Sequence, residues 1–232
     1  MITIRHAGQR GAANHGWLDT RHTFSFADYF DPNHMGFRSL RVINEDVIQP
    51  GTGFDLHGHR DMEVISFLIR GSLWHRDSTG VESVLHAGQV QCMTAGSGIR
   101  HSEHNPSSTE ATHFLQIWIL PERKGLPPGY QQKNFPAEER RGRFCLLASP
   151  DGAEHSLTIR QDARLFGLIL EPGTRLSHPL EAGRHAWVQV VSGAVEINGQ
   201  RLCGGDGLAL SQEPEVRAVG CGHGEILLFD LA

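Results

Sequence analysis

The sequence predicts an all-β protein built from two small antiparallel β-barrels of the jelly-roll type, with few short helices. Three observations lead there. Short runs with period-two alternation recur along the whole chain, bounded by Gly, Pro, Asn or Asp. Helix signals are scarce. A strand, glycine turn, strand pattern appears twice, at a spacing of roughly 120 residues.

In chain order, the first half offers strands at 40–48, 62–69, 71–77, 81–85, 89–93 and 112–120. Residues 121–143 hold Pro127, Pro128 and Pro136 and read as a connection, with one or two helical turns after Pro136. Strands resume at 156–160, 163–170, 186–191, 194–197, 201–202, 207–211 and 225–230. Ile69-Arg-Gly71-Ser-Leu-Trp-His answers Val191-Ser-Gly193-Ala-Val-Glu-Ile, and Leu85-His-Ala-Gly88 answers Leu202-Cys-Gly-Gly205. The expected division is a first barrel at 1–123, a linker at 124–144 and a second barrel at 145–232.

Composition narrows the function. Of 232 residues 39% are hydrophobic, enough for a real core. No apolar run approaches the ~18 residues of a membrane span, and the start lacks the apolar region of a secretory signal. A cytoplasmic protein is expected. The net charge of −5 and the absence of a basic cluster argue against direct nucleic-acid binding. The four cysteines are scattered without a C-x-x-C, as isolated thiols are. Histidine is uneven: eleven of fifteen lie at or before His113.

Those histidines cluster in two places. In Gly51-Thr-Gly-Phe-Asp-Leu-His57-Gly-His59-Arg-Asp-Met-Glu63, two imidazoles at i and i+2 of a strand share one face, ~7 Å apart along the backbone. Gly96-Ser-Gly-Ile-Arg-His101-Ser-Glu103-His104-Asn105 repeats the spacing with His101 and Glu103. If the two strands face each other inside a barrel, three imidazoles and a carboxylate converge. Without cysteine the set is not a structural zinc finger and suits a first-row divalent ion with open positions. His104 has the opposite parity to His101 and is expected to face away. His75, His86 and His113 are isolated and read as structural. Phe24, Phe26, Tyr29 and Phe30 are expected in the core, with one or two free to line a pocket for a flat aromatic ligand.

These residues resemble a known family. Gly51-x5-His57-x-His59-x3-Glu63-x7-Gly71 resembles the first cupin motif, and Gly98-x2-His101-x3-Asn105 the end of the second. Arg21-His-Thr-Phe-Ser-Phe-Ala-Asp-Tyr-Phe-Asp-Pro, residues 37–44 and Met93-Thr-Ala-Gly-Ser-Gly-Ile-Arg-His-Ser-Glu look like the pirin family. The second half, with Gln161-Asp-Ala-Arg-Leu, Arg184-His-Ala-Trp-Val-Gln-Val and Leu227-Leu-Phe-Asp-Leu, is similar to the bacterial quercetinase-type branch. Gly58 stands where relatives often carry proline, which leaves the ligand spacing intact.

The resemblance implies a bicupin with one metal in the N-terminal barrel, held by His57, His59, His101 and Glu103. Many other cupins use the carboxylate that corresponds to Glu63. Here Glu63 lies ~13 Å beyond His59 on a straight strand and could reach the ion only through a bend or bulge, so Glu103 is the favoured carboxylate ligand and Glu63 is a candidate hydrogen-bond partner that fixes an imidazole. The second barrel has no His-x-His and is expected to bind no metal. The implied activity is quercetin 2,3-dioxygenation: a flavonol and O2 yield carbon monoxide and a depside, with Glu103 as general base. Iron(II) is the favoured ion, with zinc, cobalt, manganese, nickel and copper able to occupy such a site. A metal- or redox-sensing regulator acting through protein partners, or another metal-dependent cupin enzyme, would use the same ligands. A monomer is expected.

Overall fold

The computed structural model describes residues 1–232. Strands dominate, and helix is confined to single turns such as Ala137–Arg140, which starts after Pro136. The strand ladders are antiparallel, as the alternation predicts, with one isolated parallel bridge between Arg141 and Ile169. The chain forms two compact units, one of Gly11–Phe135 with Leu157–Gln161, the other of Met1–Arg10, Pro136–Ser156 and Asp162–Ala232.

The first unit is a sandwich of two sheets. Its larger sheet runs Gly129–Asn134, Gln89–Thr94, Glu63–Arg70, Thr112–Ile119, Leu40–Ile48, Leu18–His22 and Gly11–Asn14. Its smaller sheet runs Gly53–His59, Ile99–His104, Ser72–Asp77 and Glu82–His86. Leu18, Ile48, Leu68 and Phe114 of the larger sheet meet Leu73 and Leu85 of the smaller in one buried cluster. Burial of such side chains contributes ~1.5–3 kcal/mol each.

In the second unit two long strands, His185–Ile197 and Glu215–Leu231, pair along most of their length. Ladder shifts at Val190/Ser192 and Gly193/Val195 bend them. Ile2–Arg5, Gly207–Ser211, Ala163–Leu170 and Cys145–Ser149 extend the sheet. Val188, Val190, Leu208, Leu210, Ile226 and Leu228 form the centre of its core. The repeated glycine patterns share a backbone conformation: φ is +81° at Gly71 and +75° at Gly193, and +85° at Gly88 and +87° at Gly205.

The two units depart from the expected boundaries: Leu157–Gln161, expected in the second barrel, belong with the first unit, and residues 136–144, expected as linker, belong with the second. Residues 1–10 belong with the second unit, because Ile2–Arg5 pairs with Gly207–Ser211. Residues 124–135 are not linker: Gly129–Asn134 pairs with Gln89–Thr94 and completes the larger sheet of the first unit.

One close approach positions the site. At Gly53 an added Cβ would sit 2.2 Å from the Glu103 carbonyl oxygen and 2.5 Å from His104 Cα. Gly58, five residues along the same strand, has open space, with its nearest neighbour 3.7 Å away. Gly53→Ala should therefore cost about 1–3 kcal/mol by overpacking, whereas Gly58→Ala should stay within about 0.5 kcal/mol. Thermal unfolding of the two variants checks this. Equal melting temperatures would contradict the close approach.

Candidate metal centre

In the smaller sheet of the first unit His101 lies opposite His57, and Ile99 opposite His59. A bulge follows His101, so Glu103 lies opposite Phe54. On its other edge the same strand sets His101 opposite Asp77 and Glu103 opposite His75. The ring centroids of His57, His59 and His101 stand 4.4–4.9 Å apart, and their ligand nitrogens all lie within 4.8 Å of one another.

The free nitrogens are the ones a metal would use. His57 Nδ1 donates to the Asp55 carbonyl at 2.8 Å, which leaves Nε2 as its acceptor. The Nε2 atoms of His59 and His101 are buried without any hydrogen-bond partner. Buried polar atoms are ordinarily satisfied, so an orphaned pair beside a third imidazole fits a site for a divalent cation. Burial pushes the His59 imidazole down to about 4, reinforced by His101 and His57 and opposed by Glu103. Burial pushes His101 down to about 3, reinforced by His57 and His75 and opposed by Asp77. Both rings are neutral at pH 7, the form that ligates.

Glu103 is fully buried. Gln91 Nε2 donates to its Oε1 at 2.6 Å and Gln116 Nε2 to its Oε2 at 2.9 Å. Tyr130 and Trp118 in turn donate to the carbonyl oxygens of these two amides, fixing which end of each points at the carboxylate. The structure groups Glu103 with His101 and His75, so His101 is shared between the three-imidazole group and this one.

Glu63 stands elsewhere. Its Oε2 accepts from the Thr94 hydroxyl at 2.8 Å and its Oε1 has no partner. Burial pushes its carboxyl up to about 7, opposed by Thr94 and by Arg160. The expected hydrogen bond from Glu63 to an imidazole is therefore corrected: its ladder partners are Thr94 and Ile119, not the histidine strands.

The role expected of Glu63 falls to His75. This residue is fully buried, with Nδ1 3.4 Å from His101 Nδ1 and Nε2 3.1 Å from Asp77 Oδ2. Burial pushes Asp77 up, but hydrogen bonds from Thr79, His75 and Val81 together hold it below the usual carboxylate range. An ionised Asp77 accepts the His75 Nε2 proton. His75 Nδ1 is then the acceptor for His101 Nδ1–H, and His101 Nε2 is left as a lone pair facing His57 and His59. The reading of His75 as an isolated structural histidine missed a usable signal: Leu73, His75 and Asp77 share one parity, and buried Leu73 shows that parity to be inward.

His104 and His113 lie apart from the three-imidazole group. His104 is part-exposed, with Nε2 3.7 Å from Asp55, and His113 Nε2 lies 3.0 Å from Glu45. Asn105 caps a loop through Ile48 and Glu110. In the second unit His178 Nε2 lies 3.1 Å from Asp230, which Arg184 also holds.

Beside the centre is a cavity of about 300 Å³, at the lower end of the ~300–1,000 Å³ of small-molecule sites. Trp17, Phe26 and Phe54 line it, and Gln116 and Phe54 link it to the centre through Glu103 and His57. Phe26 also meets Trp118, which stands edge-on to His59. Of the aromatic stretch, Phe24 is core, Phe26 lines the cavity and Phe30 is exposed.

Comparison with known proteins identifies the family and the fold. Residues 3–119 match the family described as Pirin, and residues 146–231 match the quercetinase C-terminal cupin domain. A protein of Escherichia coli K12 named quercetin 2,3-dioxygenase is 48% identical over 231 residues, covering 100% of this chain and 99% of its own. A pirin-like protein of Caulobacter vibrioides is 42% identical over 234 residues, with both chains fully covered. The crystal structure of the bacterial pirin YhhW from Escherichia coli in complex with nickel(II) is 47% identical and superposes with a TM-score of 0.96 over 100% of this chain and 99% of that one.

The His75 link yields a test at the level of metal affinity. Partners that orient a ligating imidazole are typically worth 10–100-fold in affinity. His75→Gln should weaken binding of a divalent ion by that factor while stoichiometry stays at one per chain. Competition against a chromophoric chelator measures it, and unchanged affinity would remove His75 from the centre.

Proposed function

Since the chain belongs to the pirin family, we propose that it is a metal-dependent dioxygenase acting on flavonols such as quercetin, converting flavonol and O2 into carbon monoxide and a depside. The observation that supports this is the pair of orphaned, unprotonated imidazole nitrogens beside a third imidazole, with an aromatic-lined cavity adjoining through Phe54 and Gln116. His57, His59, His101 and Glu103 would hold the ion. A divalent metal there supplies Lewis-acid charge that favours the ionised form of an enolic hydroxyl. Iron(II) is the ion we favour. The nickel(II) complex of YhhW supports a divalent ion in a relative of this chain.

The protein's own groups divide the remaining work. Glu103 takes the proton of the flavonol 3-hydroxyl on a carboxylate oxygen, releasing one of its two amide donors as it does so. Gln91 and Gln116 orient the carboxylate before that transfer, and the amide that stays bonded orients the acid after it. Trp17, Phe26 and Phe54 give the flat rings apolar surface and keep water from them.

The test is aerobic quercetin consumption with carbon monoxide detection, using protein reconstituted with each divalent metal in turn. The proposal predicts metal-dependent loss of quercetin with stoichiometric carbon monoxide, and its absence in His101→Ala. Glu103→Gln should retain some metal yet lose about 10²–10⁴-fold in turnover. Full activity of Glu103→Gln would remove Glu103 as the base. Fully metallated wild type that releases no carbon monoxide would overturn the dioxygenase.

A further inference from the structure

Besides its aromatic side chains the cavity is lined by a polar row, of which the chemistry above uses only Gln116. Leu18–His22 and Leu40–Ile48 pair so that Thr20 lies opposite Asp46 and His22 opposite Asn44. On the next strand Gln116 lies opposite Asn44. Thr20, His22, Asn44, Asp46 and Gln116 all face the cavity, and each is more than nine-tenths buried.

Three of these groups are already held by other side chains. His22 Nδ1 and Asn44 Oδ1 are 2.8 Å apart, and Gln116 is held between Glu103 and Trp118. Asp46 is different. It is 2% exposed, and its charged neighbours are Glu103 and Glu45, of its own sign, with His113 as the one opposing group. Burial pushes its carboxyl up to about 7, with the neighbouring Thr20 hydroxyl pulling the other way. A buried carboxyl without a cation is costly in a binding-free protein. Its placement on the wall of a cavity supplies a reason: a hydroxyl brought in by a ligand can be its partner, as donor to the carboxylate or acceptor from the acid.

We propose that Asp46 is the specificity-determining residue of this cavity, hydrogen-bonding a ring hydroxyl of a flat phenol seated between the polar row and Trp17, Phe26 and Phe54. The assignment rests on the flavonol reading for its substrate class and extends it: the ligand is a polyhydroxylated aromatic, not merely a flat enol. A site built to hydrogen-bond a hydroxyl discriminates strongly against the analogue that lacks it.

The experiment compares equilibrium binding of quercetin and of 3-hydroxyflavone, which carries the enolic hydroxyl and no other, to the metal-loaded protein. Wild type should prefer quercetin by about tenfold, the worth of one hydrogen bond to a charged group. Asp46→Ala should lose that preference through weaker quercetin binding, with 3-hydroxyflavone unchanged. Asp46→Asn, which keeps the shape and an acceptor, should retain part of it and serves if Asp46→Ala does not fold. An unchanged preference in either folded variant, or equal weakening of both ligands, overturns the assignment, the latter because it marks a structural role. Absence of any preference in wild type overturns it as well. Carbon monoxide release is scored separately: preferential binding without turnover sinks the dioxygenase and leaves Asp46 as the reader of the hydroxyl.

Discussion

The pairing of strand Gly53–His59 with strand Ile99–His104 holds the functional geometry together. It sets His101 opposite His57, and Gly53 lets the two backbones approach where a Cβ would strike the Glu103 carbonyl. The bulge after His101 then places Glu103 opposite Phe54 and toward the amides of Gln91 and Gln116. Two ladder positions and one irregularity thus decide which side chains share a point in space.

The surrounding protein makes this arrangement chemically usable. Burial alone would leave an imidazole free to choose either tautomer. The Asp55 carbonyl chooses for His57, and Asp77 acting through His75 chooses for His101. In both cases the nitrogen left as acceptor is Nε2. Crowding among the rings and loss of water keep His59 and His101 unprotonated, so an incoming cation displaces no proton from either at neutral pH. The same barrel interior changes from this polar end to the apolar cluster around Leu68, Leu73, Leu85 and Phe114, with the cavity alongside.

Much of this was legible in the sequence, for physical reasons. Ser72–Asp77 alternates cleanly because one face is core and the other is not, whereas Ala163–Leu170 is buried at four consecutive central positions and declares itself by its apolar content. The i, i+2 spacing placed His57 with His59 and His101 with Glu103. What escaped depended on partners far along the chain. Ile2–Arg5 is too short to declare itself and finds Gly207–Ser211 some two hundred residues away. Gly129–Asn134 reads Gly-Tyr-Gln-Gln-Lys-Asn, with almost no apolar alternation, yet completes a sheet edge. His75, Asp46, Gln91 and Gln116 are buried polar residues on four different strands, and only the assembled barrel shows what each of them faces.

The central claim is that His57, His59 and His101 act as one binding unit. Titration of a divalent ion into metal-free wild type and into the single variants His57→Ala, His59→Ala and His101→Ala tests it most directly, with circular dichroism to confirm folding. The account predicts one ion per chain in wild type and loss of tight binding in each folded variant. Tight binding that survives removal of His101, or a second ion of equal affinity, would contradict it.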